Sequence, residues 1–174
     1  MSGNIKALIE AELSVLVGEQ VRQLRRAALM LGVDFGDDAE YEFMAGSQKG
    51  EVITRPKFSL HIHSSWRLLK EDAICLGQSA FFNRMSGFKH HDDSEEATES
   101  SEFTAVSREI NEMLKADMVR VTKIEATELG DLKVYMGDDY CLELFVDDIE
   151  GTESWRFFRN DDDSEHFVVF NEDS

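Results

Sequence analysis

An apolar stripe at helical spacing opens the chain, and a second stripe follows beyond its middle. The first predicts a helix over residues 4–17, which Gly18 ends. The second predicts a helix over residues 103–115, with Ser107 as a candidate cap. The apolar members of the two stripes are Ile5, Leu8, Ile9, Leu13, Leu16, Val17, Val106, Ile110, Met113 and Leu114.

Elsewhere apolar and polar residues alternate, most clearly over residues 58–62, which is typical of strands with one buried face. Residues 33–43 predict two strand pieces around a turn at 36–38, and residues 46–50 predict a loop. Further strands are predicted over residues 118–124, 132–136, 140–145, 155–158 and 166–170, with a hairpin turn at 137–139. The expected fold class is therefore α+β, a mostly antiparallel sheet or roll with an N-terminal and a central helix.

Two parts of the chain repeat each other in sequence. Residues 31–38 match residues 132–139 at a constant offset of 101, and residues 58–62 parallel 140–144 further along. Each parallel segment is followed by a Trp-Arg pair, and these are the only two tryptophans of the 174 residues. We therefore expect a single domain of two pseudo-repeated halves, joined by an acidic connector and a helix. The domain covers 1–174, the halves 18–89 and 116–171, the connector 90–102 and the helix 103–115.

The two Trp-Arg pairs have the pattern of structural anchors. On a strand, Trp66 and Trp155 would point into the core, whereas Arg67 and Arg156 would point to solvent. The alternative is that the two arginines form a specific contact with an anion or a partner. As anchors, the arginines would pair with nearby acids such as Glu71 or Glu153.

The second half resembles a group of small uncharacterised bacterial proteins in which a sheet has a G-D-L, L-E-[IL]-F, E-x-W-R pattern. The matching segments are Gly130-Asp131-Leu132, Leu142-Glu143-Leu144-Phe145 and Glu153-Ser154-Trp155-Arg156. The resemblance covers residues 116–171, and the first half departs from it at Ser64, where the pattern has glutamate. The group has no assigned activity. Some of its members look similar to immunity proteins of bacterial toxin systems, so the resemblance implies an immunity-like role only by analogy.

Charge is the strongest compositional bias. Thirty-six acidic residues against eighteen basic ones give a net charge of -18. Residues 1–91 are neutral overall, residues 92–126 have a net charge of -6, and residues 127–174 have a net charge of -12. This balance argues against binding to nucleic acid and to anionic membranes. It either keeps the protein in solution or forms a negative face for a basic protein partner. The candidate partner-binding residues are Asp147, Asp148, Glu150, Asp161, Asp162 and Asp163.

Candidate metal ligands are few. His61 and His63 lie two positions apart, which places both imidazoles on one face of a strand. A metal would need further ligands, for which His90, His91 and Asp92 are the nearest candidates in type. If residues 58–62 face the core with their apolar side chains, both histidines simply face solvent. We therefore expect no cofactor.

Nucleophilic chemistry finds no support in the sequence. Cys75 and Cys141 both lie in apolar strand sequence, where a thiol packs as a small hydrophobe. The sequence contains no G-x-S-x-G elbow, P-loop or dinucleotide-binding glycine motif. Two isolated cysteines form no disulfide framework, which indicates a reducing cytoplasm.

Three functions fit these observations. The first is a non-enzymatic, acidic cytoplasmic binding protein that engages a basic protein, in its most concrete form an immunity or inhibitor protein. The second is a metal-dependent hydrolase or small-ligand-binding protein that uses His61 and His63. The third is a structural assembly subunit.

Overall fold

The structure, a computed structural model, describes residues 4–42, 46, 49–83, 101–147, 151–160 and 166–170. These residues form two α-helices and two antiparallel sheets of five strands each, which confirms the α+β class with an N-terminal and a central helix. The helices are α1 (Ile5–Leu13) and α2 (Glu102–Ala116). The strands are β1 (Val21–Ala27), β2 (Met30–Glu42), β3 (Val52–Ile62), β4 (Ser65–Lys70), β5 (Ala73–Gly77), β6 (Val121–Ala126), β7 (Leu132–Met136), β8 (Tyr140–Phe145), β9 (Glu153–Arg159) and β10 (Phe167–Phe170).

The first helix is shorter than the apolar stripe predicted. Asn4 caps it by accepting a hydrogen bond from the Ala7 backbone nitrogen at 2.8 Å. After Leu13 the chain makes one 3-10 turn, Ser14–Leu16, so that the apolar period is no longer α-helical. As a result Val17, predicted to face the core, is 50% exposed.

The second helix begins at a different cap. Ser101 accepts a hydrogen bond from the Thr104 backbone nitrogen at 3.3 Å. The prediction that Ser107 caps the helix is wrong, because Ser107 is buried within it and donates its hydroxyl to the Thr104 carbonyl. Met113 is 37% exposed, so the buried face differs from the predicted one and comprises Phe103, Ser107, Ile110 and Leu114.

Each sheet combines strands from both halves of the chain. The strand order is β1-β2-β3-β9-β10 in one sheet and β5-β4-β8-β7-β6 in the other. The first half provides the unit β1-β2-β3, which the hairpin β9-β10 of the second half extends. The second half provides the unit β6-β7-β8, which the hairpin β4-β5 of the first half extends. Trp155 on β9 pairs with Ile62 on β3, and Trp66 on β4 pairs with Leu144 on β8. Each tryptophan therefore lies on the first strand of its hairpin, opposite the last strand of a three-stranded unit. The internal repeat stays a prediction, and this exchange of hairpins favours it.

The predicted turn at residues 36–38 is wrong. Strand β2 runs through these residues as a bulge, with Phe35 opposite Phe58 and Asp38 opposite Pro56. Gly36 has a φ of +78°, a conformation that suits glycine. The same Gly-Asp-Asp sequence at 137–139 does form the predicted hairpin turn between β7 and β8.

Side chains from the helices form hydrogen bonds with one edge strand of each sheet. Asn111 of α2 accepts from the Leu24 nitrogen at 2.8 Å and donates to the Leu24 carbonyl at 2.9 Å, on edge strand β1. Glu10 of α1 accepts from the Ala126 nitrogen on edge strand β6 at 3.2 Å. These bonds satisfy backbone groups that would otherwise be open to pairing with another chain.

The buried residues of helices and sheets form one core cluster. Neither described helix is long and apolar enough to cross a membrane.

Candidate functional site

A buried carboxylate organises the outer face of the sheet that contains β1, β2 and β3. Asp34 is 2% exposed, although its neighbours in sequence face the core. Its Oδ2 accepts from Gln23 Nε2 at 2.8 Å and from Arg25 Nε at 3.0 Å. Its Oδ1 accepts from the Ser59 hydroxyl at 2.7 Å, and Asn160 Nδ2 donates to that hydroxyl at 2.9 Å. These five residues, the Asp34 network, satisfy a charge that would otherwise be costly to bury.

The Asp34 network reaches His61 through Arg25. The guanidinium NH2 of Arg25 lies 2.8 Å from His61 Nε2, so Arg25 spans from β1 across β2 to β3. Gly32 makes this crossing possible, because a Cβ there would lie 2.8 Å from Arg25 Cζ. Burial, followed by the charge of Arg25, lowers the pKa of His61 from 6.5 to about 4. His61 is therefore neutral at pH 7, with Nε2 as the acceptor.

The two candidate metal ligands have different partners. His61 binds Arg25, whereas His63 Nε2 lies 3.5 Å from Glu153 Oε1. Across the described residues, no group of three or more His, Cys, Asp or Glu side chains is placed to hold a metal ion. Ser59 donates to Asp34, and His61 binds Arg25 rather than Ser59, so these residues do not form a nucleophile–base pair. The further candidates His90, His91 and Asp92 lie outside the described residues.

The Trp-Arg pairs have the predicted orientation. Trp66 and Trp155 are buried at 4% and 0% exposure, and both arginines lie on the outer faces of their sheets. Arg156 pairs with Glu153, as predicted. Arg67 pairs with a residue other than Glu71: its Nε lies 2.5 Å from Glu143 Oε2, because β4 and β8 are neighbours and place the two residues opposite each other.

The residues of the G-D-L segment make structural contacts. The Gly130 carbonyl accepts from Trp155 Nε1 at 3.0 Å. Asp131 Oδ1 accepts from the Val146 nitrogen at 2.8 Å, and its Oδ2 accepts from the Thr127 hydroxyl at 3.1 Å. These bonds hold the β6–β7 turn against β8 and β9. The segment is thereby explained without a ligand.

Both cysteines lie within strands, and neither is activated as a nucleophile. Cys141 is 9% exposed and Cys75 is half-buried, and burial raises the pKa of both thiols. A thiol with a raised pKa is mostly protonated at pH 7, so neither cysteine is activated.

Four acidic residues lie at one end of the other sheet, on two neighbouring turns. Glu71 and Asp72 form the β4–β5 turn, and Asp138 and Asp139 lie in the β7–β8 turn. The Glu71 nitrogen donates to the Asp139 carbonyl at 2.6 Å, which fixes the two turns side by side. All four residues are exposed. We call this group the acidic end.

The acidic end keeps an excess of negative charge, because Lys70 is the nearby cation and the group has four carboxylates. In the described part of the chain, none of its four carboxylates forms an ion pair. The nearby cation Lys70 lies with its Nζ 5.3 Å from the centre of the Tyr140 ring. The interaction with Tyr140, and after it the charges of Asp139 and Glu71, raise the pKa of Lys70. Sequence reasoning missed the acidic end, because only the strand order β4-β8 brings the two turns together.

Of the predicted partner-binding residues, the structure describes one. Asp147 follows β8 and is exposed, and its carboxylate accepts from the backbone nitrogen and the hydroxyl of Ser65. The others lie outside the described residues: Asp148, Glu150, Asp161, Asp162 and Asp163. Their role stays a prediction.

No protein-family model, curated protein or solved structure matches this chain.

Proposed function

We propose that this protein is a non-enzymatic binding protein that engages a basic protein partner through the acidic end. The observation that carries the proposal is the juxtaposition of four exposed acidic residues, without an ion pair in the described part of the chain, on two turns held together by a 2.6 Å hydrogen bond. Neighbouring strands are about 4.8 Å apart, so the two turns that contain these residues lie close together. Lysine or arginine side chains of a partner relieve the mutual repulsion of such charges.

The net charge of the chain adds to this local effect. A net charge of -18 extends the attraction of a basic partner beyond the contact area. Such a field increases the association rate and makes it sensitive to salt. An inhibitor of a basic toxin such as a nuclease would benefit from fast association, so an immunity or inhibitor role is the most concrete form of the proposal.

The test is a comparative capture from lysate of the source organism at low salt. Wild-type protein, an acidic-end variant and a control variant serve as parallel baits, and the bound proteins are quantified by mass spectrometry. The acidic-end variant combines Glu71→Gln, Asp72→Asn, Asp138→Asn and Asp139→Asn. The control changes the net charge equally at exposed acids elsewhere and combines Asp37→Asn, Glu40→Gln, Glu42→Gln and Glu128→Gln.

We expect a basic protein that the wild type and the control variant retain and that the acidic-end variant retains at least about tenfold less. For the inhibitor form, this partner is an enzyme that loses activity when an equimolar amount of the wild type is added. A partner retained equally by both variants would show that net charge alone is responsible. An acidic partner, or no difference between the three baits, would also contradict the proposal.

A further inference from the structure

A cleft of about 550 Å³ lies between helix α2 and strands β1 to β3. Its volume is in the range of small-molecule sites in proteins. One wall comes from Arg108, Asn111, Glu112 and Lys115, which share one face of α2 because they are three or four positions apart. Arg22 lines the cleft from β1.

Two β-bulges shape the opposite wall. On β1 the bulge falls between Val21 and Gln23, so that Arg22 and Gln23 together face one residue of β2. This turns both polar side chains out of the core and into the cleft. On β2 the bulge that precedes Asp38 places that residue and Pro56 at the rim.

Several cleft side chains are held in place by other groups. Arg22 NH2 lies 3.1 Å from Asp38 Oδ2, and Gln23 donates to the buried Asp34. Asn111 is fixed by its two hydrogen bonds with the Leu24 backbone, which also fix α2 beside β1. The cleft is therefore largely formed before a ligand arrives, which lowers the entropy cost of binding.

Two cations of the cleft remain without a partner. Within the described ranges, Arg108 and Lys115 form neither an ion pair nor a hydrogen bond through their side chains, in a chain with twice as many acids as bases. Since Asp38 offsets Arg22, and Glu112 offsets one of the two free cations, the described residues of the lining have one positive charge in excess. None of these described lining residues is aromatic, so they offer no ring on which a base could stack.

We propose that this cleft binds a small organic anion whose carboxylate or phosphate group lies between Arg22 on the sheet and Arg108 and Lys115 on α2. Arg108 and Lys115 are two turns apart on one helix face with Glu112 between them, and the three cations outnumber the two carboxylates of the described lining, Asp38 and Glu112. The amide groups of Gln23 and Asn111 provide polar contacts for the rest of the ligand. This site shares no residue with the acidic end.

The test is an NMR titration of the full chain with inorganic phosphate and, separately, with succinate, at ionic strength held constant with sodium chloride. We expect saturable shifts of the Arg22 and Asn111 side-chain resonances for at least one probe, with Kd on the order of 1 mM. Saturation by phosphate alone assigns a phosphate ligand, and saturation by succinate alone assigns a carboxylate ligand. Saturation by both shows that the cleft accepts either group.

A double substitution, Arg108→Gln with Lys115→Gln, should weaken binding at least about tenfold. Glutamine has a helix propensity close to that of arginine and lysine, so α2 stays intact. The matched control, Lys6→Gln with Lys49→Gln, removes the same charge elsewhere and should change Kd less than about twofold. No saturation up to about 50 mM of either probe, or equal weakening in the control, would overturn the proposal.

Discussion

His61 should make the protein less stable as the pH falls, and the substitution His61→Gln should remove that loss. In the folded chain the pKa of His61 is lowered to about 4, by burial and then by Arg25. In the unfolded chain the pKa of His61 returns to its ordinary value of 6.5. Between these values the unfolded state binds the additional proton, so the free energy of unfolding falls with decreasing pH.

The size of the effect follows from the two pKa values. One unit of pKa difference corresponds to about 1.4 kcal/mol, so the loss between pH 7 and pH 5 has a ceiling of about 2 kcal/mol. His61 is partly exposed, and solvent screening reduces the expected loss to about 1 kcal/mol. The loss begins as the pH falls through 6.5 and is complete below about 4. Glutamine keeps an oxygen that accepts from Arg25 but does not titrate.

The assay is urea unfolding at pH 7, 6 and 5 for wild type, His61→Gln and the control His63→Gln, whose exposed imidazole contacts Glu153. The wild type and the control should lose about 1 kcal/mol more than His61→Gln. An NMR titration of the His61 ring gives its pKa directly. A measured pKa above 6, or parallel losses in all three proteins, would refute the structural reasoning.

Two further substitutions test the packing around the outer face and the core. Gly32→Ala should raise the pKa of His61 toward its ordinary value, because the new Cβ displaces the Arg25 guanidinium. The free energy of unfolding should fall by about 1–3 kcal/mol, because buried Asp34 loses Arg25 as a donor. An unchanged pKa in an NMR titration would contradict this. Trp155→Phe should lower the free energy of unfolding by about 1 kcal/mol more than Trp66→Phe. The reason is that the indole nitrogen of Trp155 donates to the Gly130 carbonyl, whereas the indole nitrogen of Trp66 is buried without a described partner. Equal losses in chemical denaturation would refute that difference.

Local sequence predicted most strands but could not decide between a turn and a bulge. Residues 36–38 and 137–139 have the same Gly-Asp-Asp sequence. Strand β7 ends before residues 137–139, which form a hairpin turn. After residues 36–38 the chain stays extended, because residues 38–42 continue to pair with residues 52–56. Pairing with a strand 10 to 18 residues further along the chain, rather than the local turn chemistry, decides the outcome.

The candidate sites were predictable only where they depend on a single element. Alternation along β3 places His61 outside the core, as predicted, but its neutral state depends on Arg25, which lies on β1 and reaches it over Gly32. Likewise, Arg108 and Lys115 could be placed on one helix face from their spacing. Their meeting with Arg22 depends on the packing of α2 against β1, which no sequence signal provides.

The most direct test of the central claim is the association rate of the captured basic partner as a function of salt. Stopped-flow mixing from about 20 to about 500 mM sodium chloride compares the wild type with the acidic-end variant and its charge-matched control. The account predicts that the wild-type rate falls by at least about tenfold over this range and that the acidic-end variant is slower than the control at low salt. A rate independent of salt, or the same rate for both variants, would contradict it.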